Sequence, residues 1–388
     1  MADNPVEENA AGWLAEQLPA MDLALAALVE INSFTDNPDG GRKVGELLRG
    51  LFSIDGLSCE VVRSERYADH LVFRSEGNPR KPPLALLGHL DTVFPPGKFE
   101  GYVKEGNVRR GPGVFDMKGG LVVIAFALKA LAQEPGGLGA LPPLRIVVVA
   151  DEEVGSPEGQ GLIRSVIEGC QGCLVFESGR AKDAIVTRRK GVASVTAVAH
   201  GKAAHAGNNH KDGHNAIWAL ARFIDAAQRI TDYERGVTVN VGKVQGGQGK
   251  NTVPDLAEAF LDLRFSTRAD SQATYAALEK AAQEAAASVP GTRMEIQRGP
   301  AREPMESSEA SLAMMHAYGA CALKCGLEYS EAPLMGGGSD ANTATALGVP
   351  SIDGLGPRGK GFHTLDEQIE VDSLIWKSQA LARYLASR

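Results

Sequence analysis

The chain has 388 residues, 44% of them hydrophobic, with 40 basic and 48 acidic residues and a formal net charge of −8. That length exceeds what one hydrophobic core usually organises, so two domains are expected. The acidic balance, with no basic block anywhere, excludes nucleic acid and an anionic membrane as natural partners.

The opening stretch, MADNPVEENAAGWLAEQL, lacks a positively charged region followed by an apolar core, and no apolar run reaches membrane-spanning length. A soluble, cytoplasmic protein is therefore expected. Residues 9–33 have the spacing of one amphipathic helix and 43–53 of a second, while 57–75 alternates as strands do. PLALLGHLD is a buried strand, followed by a segment dense in glycine and proline. MKGGLVVIAFALKALAQE has helical spacing and is apolar nearly all round, so it reads as a buried helix. LRIVVVADEE is another buried strand, GQGLIRSVIEG a helix and CLVFE a strand. This alternation predicts a mostly parallel α/β sheet flanked by helices.

From residue 191 the pattern changes to strand, helix (214–231), two strands, helix (270–288) and strand, which fits an α+β unit of ordinary domain size. Helix–strand alternation returns from 308 and closes in a helix over 370–386. The reading is a body formed by 1–190 and 301–388 with 191–300 inserted into it. The five cysteines fit a reducing compartment. Cys170 and Cys173 read as buried thiols, since no second pair follows at zinc-site spacing.

Acids and imidazoles recur where these apolar runs stop. His89 and Asp91, two apart on an extended run, share one side of the strand, so Asp91 can accept the second ring N–H of His89. A structural His–Asp contact would look the same. Asp116, after a Gly-Pro-Gly turn and before a helix, is either a ligand or a helix N-cap. Glu152 and Glu153 follow Asp151 at the end of a buried run, where their repulsion calls for a neutralising cation or for solvent at a surface turn. Glu177 closes CLVFE, and His363 sits in a glycine-flanked loop. Ser339 and Asp340 lie in GGGSDAN; a Ser339–Asp340–His363 triad has no nucleophile elbow around it.

Together, GHLDTV, DMKGG, DEEVGS, FES, HAGNN, GGGSDAN and the late histidine resemble the dinuclear zinc peptidases and deacylases. That family includes glutamate carboxypeptidase, aminoacylase, acetylornithine deacetylase and succinyl-diaminopimelate desuccinylase, and the match is nearest its glutamate carboxypeptidase branch. The resemblance runs from about residue 20 onward. It implies two Zn2+ per subunit, with Co2+ or Mn2+ able to substitute. Asp116 would bridge the ions, His89 and Glu177 would complete one, and Glu153 and His363 the other. Asp91 would orient His89, Glu152 would be the general base, and a cis peptide would follow Asp116.

The inserted segment resembles that family's lid and dimerisation domain, which implies a homodimer through 191–300. His205 would then donate to an oxyanion in the partner's site, although as a turn histidine it would also fit. Arg264 and Asn251 would contact a substrate carboxylate, and the backbone of Gly337 and Gly338 would approach the substrate. The pattern departs where Arg298-Gly299 is followed by Pro300, with the next arginine at 302. The function implied is a zinc carboxypeptidase that releases a C-terminal amino acid from short peptides or N-acyl amino acids. An N-acyl amino acid deacylase is the near alternative, and a metal-dependent binding protein without turnover the remote one.

Overall fold

The computed structural model describes residues 5–388. Helices α1 (Pro5–Ala15) and α2 (Leu18–Val29) stand where one helix is expected over 9–33. Pro19 explains the break: it has no N–H to donate, and its ring would strike the carbonyl four residues back. It is instead accommodated in the first turn of a new helix. Helix α3 (Pro38–Leu51) begins earlier than expected, because the Asn37 side chain accepts the Gly40 N–H and caps it. Strands β1 (Ser58–Val62), β2 (His70–Ser75) and β3 (Leu84–His89) follow, then a short hairpin, β4 (Val103–Glu105) and β5 (Val108–Arg110), inside the segment read as turns alone. Next come α4 (Lys118–Ala132), β6 (Leu144–Val149), α5 (Gly159–Ile167) and β7 (Gly172–Val175).

The middle of the chain carries β8 (Gly191–His200), β9 (Ala204–His205), α6 (Ala216–Gln228), β10 (Thr238–Gly246), β11 (Thr252–Val253), β12 (Leu256–Phe265), α7 (Arg268–Ser288) and β13 (Arg293–Arg302). The last part holds α8 (Glu309–Leu323), α9 (Asp340–Ala346), β14 (Ser351–Ile352), β15 (Gly359–Lys360), β16 (Gln368–Glu370) and α10 (Ser373–Ala386).

These elements form two compact units. One runs up to Arg188 and adds Ser307–Leu334 and Ser339–Arg388; the other is Arg189–Glu306 with Met335–Gly338. The short piece Met335–Gly338 joins the second unit through main-chain bonds that sequence pattern does not reveal. Lys190 N–H donates to Met335 O at 2.8 Å, and the Arg189 guanidinium donates to Gly337 O at 3.1 Å.

The first unit is built on a six-stranded sheet in the order β1-β2-β6-β3-β7-β14. Strands β6, β3, β7 and β14 run parallel, while β1 and β2 are antiparallel additions at one edge. All six residues of β3 are buried, as a central parallel strand covered on both faces should be. Helix α4 is buried at 13 of its 15 residues and packs against α1, α2 and α10, which is why its sequence is apolar all round. A separate four-stranded sheet, β15-β16-β5-β4, brings the hairpin to the C-terminal loops. In the second unit an antiparallel sheet, β10-β12-β8-β13, carries α6 and α7 over its own core, with Phe223, Phe265 and Leu278 at the centre.

Candidate metal centre

In the first unit, three parallel strands deliver their next residues to one place. His89 is the last residue of β3, with Asp91 two residues on. Glu152 and Glu153 lie in the single 3₁₀ turn that follows β6, and Glu177 is two residues past β7. Carboxyl ends of parallel strands are where an open α/β sheet presents side chains to a ligand. Asp116 arrives from the loop before α4, through a cis Asp116–Met117 peptide. It does not cap that helix: Met117 holds the cap position, and no side chain bonds there. His363, in the left-handed region at φ 61°, comes from the loop between β15 and β16.

Two groups of potential ligands result, His89–Asp116–Glu177 and Asp116–Glu153–His363, each with its donor atoms within 4.8 Å of one another. Asp116 is common to both, and its two oxygens face different imidazoles. Oδ1 lies 3.4 Å from His89 Nε2, and Oδ2 lies 3.3 Å from His363 Nε2. Glu177 Oε1 stands 3.8 Å from His89 Nε2, and Glu153 Oε2 is 3.0 Å from His363 Nε2. Although Glu152 and Glu153 share one turn, the Glu153 carboxyl is only 5% exposed, so the surface-turn alternative does not hold for it.

The electrostatics show what such a cluster lacks. Burial opposes charge on His89, yet Glu177 and Asp116 beside it raise its pKa well above the ordinary imidazole value. Burial pushes Glu153 up to about 8, with the Asp116 charge adding to it. Burial and the Asp116 charge likewise push Glu177 well above the usual carboxylate range. Asp116 and Glu153 hold His363 up at about 10. Buried acid outweighs buried base here, which is the imbalance a divalent cation corrects. His89 Nε2 and Asp116 Oδ1 are also buried without a hydrogen-bond partner, so the donor set fits metal ligation.

The ring N–H of His89 is oriented somewhat differently than expected. Its Nδ1 is 3.0 Å from the main-chain carbonyl of Asp91 and 3.4 Å from that residue's carboxylate. Either acceptor leaves Nε2 as the lone-pair nitrogen facing Asp116 and Glu177. The Asp91 carboxylate mainly gathers the acid turn, accepting the N–H groups of Glu152 and Glu153 at 3.2 Å each and the Thr35 hydroxyl at 2.8 Å. Thr35 carried no signal in the sequence. Glu367 did not stand out either, although it lies four residues after His363. The Glu152 charge acts on both Glu153 and Glu177, adding a little to the rise of each, and Glu152 belongs to neither ligand group.

Ser339 and Asp340 are tied into the fold by their side chains. Ser339 caps α9 in a reciprocal box with Asn342 and donates its hydroxyl to Asp353 at 2.7 Å. Asp340, 2% exposed, accepts the Ser156 hydroxyl at 2.7 Å. Both are buried, and the Ser339 hydroxyl is committed to Asp353, in line with the absence of a nucleophile elbow around it. Cys170 and Cys173 are buried and unbridged.

The second unit holds the remaining candidates. His205 and Asn251 are neighbours across the β9–β11 pair, with the Ala206 N–H bonded to Asn251 O. The His205 Nδ1 accepts from Gly207 and Asn208 N–H at 3.1 and 3.0 Å, so its proton resides on Nε2. Arg264, on β12, forms a forked pair with Asp262 at 2.8 and 3.0 Å and reaches Gly336 O at 3.5 Å. Gly337 accepts from Arg189, while Arg298 is held by Glu279 and stacks over Tyr275.

A parallel-centred α/β sheet with acids and imidazoles gathered at its carboxyl edge defines a hydrolase of the metallopeptidase class. The chain belongs to peptidase family M20/M25/M40, whose model matches residues 85–387. It is 28% identical over 356 residues to carboxypeptidase G2 of Pseudomonas sp. (strain RS-16), covering 90% of this chain and 84% of that protein. It is 25% identical to the succinyl-diaminopimelate desuccinylase of Psychrobacter arcticus, over 99% of this chain and 98% of the relative. The crystal structure of aminopeptidase PepT from Bacillus cereus ATCC 10987 shares the fold, with a TM-score of 0.77 at 21% identity, covering 96% of this chain and 98% of that one. Among the described residues, no helix is long and apolar enough to cross a membrane.

Proposed function

We propose that this chain is a two-zinc carboxypeptidase that hydrolyses the amide bond of a C-terminal amino acid in short peptides or N-acyl amino acids. The observation that carries the reading is Asp116, whose two oxygens each face a separate imidazole with a further buried acid beside it. His89, Asp116 and Glu177 would hold one ion, and Asp116, Glu153 and His363 the other; cobalt or manganese suits the same donors. When bound, the ions supply Lewis acidity to the scissile carbonyl and lower the pKa of the attacking water toward neutrality.

The protein's own groups do the proton handling. Glu152, beside both ligand groups, takes a proton from the water and delivers it to the leaving amine. Asp91 fixes Glu152 and Glu153 through their N–H groups, which keeps base and ligand in constant relation. In the second unit, the Nε2–H of His205 is a fixed donor suited to an oxyanion, and the resemblance assigns it to the site of a partner copy. An edge strand supports the dimer: β10 ends its sheet, Val244 on it is 52% exposed, and the adjacent α6 exposes Ile217 and Trp218.

Arg264 would grip the substrate carboxylate with Asn251 and the Gly337–Gly338 backbone nearby, sharing its guanidinium with Asp262. Asp262 occupies Nε and Nη2, which leaves Nη1 for the substrate and selects no particular side chain, and an N-acyl amino acid deacylase remains the second reading through the desuccinylase relative. The test is release of free amino acid from a panel of N-acyl amino acids and dipeptides, with and without chelator. A zinc-loaded protein that hydrolyses nothing across that panel would sink the enzyme reading.

A further inference from the structure

Glu367 is 1% exposed and forms no ion pair among the described residues, the buried Lys118 acting on it only through its charge. It takes three main-chain donors from one loop. Oε1 accepts the N–H groups of Phe115 and Asp116, both at 2.9 Å, and Oε2 accepts that of Gly113 at 3.0 Å. The local structure explains how the carboxylate comes to be there. Strands β5 and β16 pair antiparallel up to Arg110 and Gln368, and the Gly111 N–H then donates to Glu367 O. Beyond that point the two strands separate, one into the loop carrying Asp116 and the other back into the loop carrying His363. The Glu367 side chain continues the pairing where the ladder stops, supplying acceptors to N–H groups that would otherwise be buried and unpaired.

We propose that Glu367 is a positioning residue for the metal centre, locking the Gly113–Asp116 loop in register with the His363 loop. The proposal rests on the two-zinc reading above. Asp116 and His363 belong to the same ligand group, and each comes from a loop with no strand of its own at that point. Charge-assisted bonds to a fixed carboxylate hold a loop more tightly than neutral ones do, and partners of this kind around metal ligands govern affinity. Its three bonds all go to main-chain N–H groups, so Glu367 acts through the main chain of the residue that must present two oxygens in two directions.

The test is calorimetric titration of zinc sulfate into the full chain after chelator treatment, for the parent protein, Glu367→Gln and Glu367→Ala. The glutamine keeps the shape and the acceptor for Phe115 and Asp116 but turns an amide N–H2 toward the Gly113 N–H. Zinc affinity should fall about 10-fold in the glutamine variant and about 100-fold in the alanine variant. Thermal unfolding in excess chelator separates positioning from bulk stability in the glutamine variant, which keeps two of the three acceptor bonds. Its apo midpoint should stay near the parent's while the gain on adding zinc shrinks, whereas the alanine variant also leaves three buried N–H groups unpaired and unfolds lower with or without zinc. Parental zinc affinity in both variants would overturn the proposal, as would an apo midpoint of the glutamine variant lowered as far as its zinc-loaded one. A parent chain that takes up no zinc would sink the metal-centre reading itself, and Glu367's role with it.

Discussion

Glu152 and Glu153 are adjacent in sequence and differ in every respect that matters. One meets His363 at 3.0 Å within a ligand group, whereas the other lies beside two ligand groups and belongs to neither. Glu152→Gln should therefore lower kcat by at least about 10²-fold while two metal equivalents are retained, measured by turnover and elemental analysis of the same sample. Retained turnover would remove its role as base. Asp22 makes a different case, in which charge serves stability alone. Burial would raise its pKa, but bonds from Arg109, Lys104 and Tyr102 prevail and hold it down at about 2. A carboxylate depressed on folding contributes stability that is full above its unfolded pKa of about 4 and is lost as pH falls toward the folded value. The urea-unfolding difference between the parent and Asp22→Asn, about 1–2 kcal/mol at pH 6 after allowing for solvent screening, should therefore narrow between pH 4 and pH 3. A constant difference would refute this account.

Helix α4 shows why the glycine pair in DMKGG is there. A Cβ on Gly120 would meet Phe176 O at 2.2 Å, and one on Gly119 would meet Val114 O at 2.4 Å. Both obstacles are main chain, so neither can swing aside. The helix can approach β7 and the loop of Asp116 this closely only without side chains at those positions. Gly120→Ala should cost about 1–3 kcal/mol, read as a lowered thermal midpoint, and should also weaken zinc binding because Phe176 precedes Glu177. The cap of α3 is a milder test. Replacing Asn37 with Ala removes the acceptor for the Gly40 N–H and should cost about 1 kcal/mol, with turnover unchanged.

For the molecule as a whole, the candidate ligands come from five separated stretches of chain between His89 and His363, so ions held there would tie the first unit together across most of its length. Anything that binds the folded state alone stabilises it by mass action, about 4 kcal/mol at a thousand-fold excess over Kd. A chelator should abolish hydrolysis and lower the midpoint of the first unit's unfolding by several degrees, and restoring zinc should reverse both. The second unit has its own core and no such ligand group among the described residues, so its transition should not move.

The sequence by itself determined the parallel-sheet class, because strands buried on both faces must read as unbroken apolar runs, and its family resemblance singled out His89, Glu153 and Glu177 at the ends of those runs and Asp116 and His363 in loops. It also showed the helical character of 118–132, since periodicity and composition are local properties. Other features depended on partners far away in the chain. The β4–β5 hairpin and the transfer of Met335–Gly338 to the second unit each turned on bonds to main chain that leave no pattern, whereas the break at Pro19 was local and legible in the proline itself. The bonds of Ser339 to Asp353 and of Asp340 to Ser156 likewise join residues far apart in the chain. Thr35 bonds Asp91 56 residues away and Glu367 bonds Asp116 251 residues away, and only the folded chain brings such groups together. Donor chemistry is written residue by residue, whereas the orientation of each donor is set by whatever the rest of the chain packs against it.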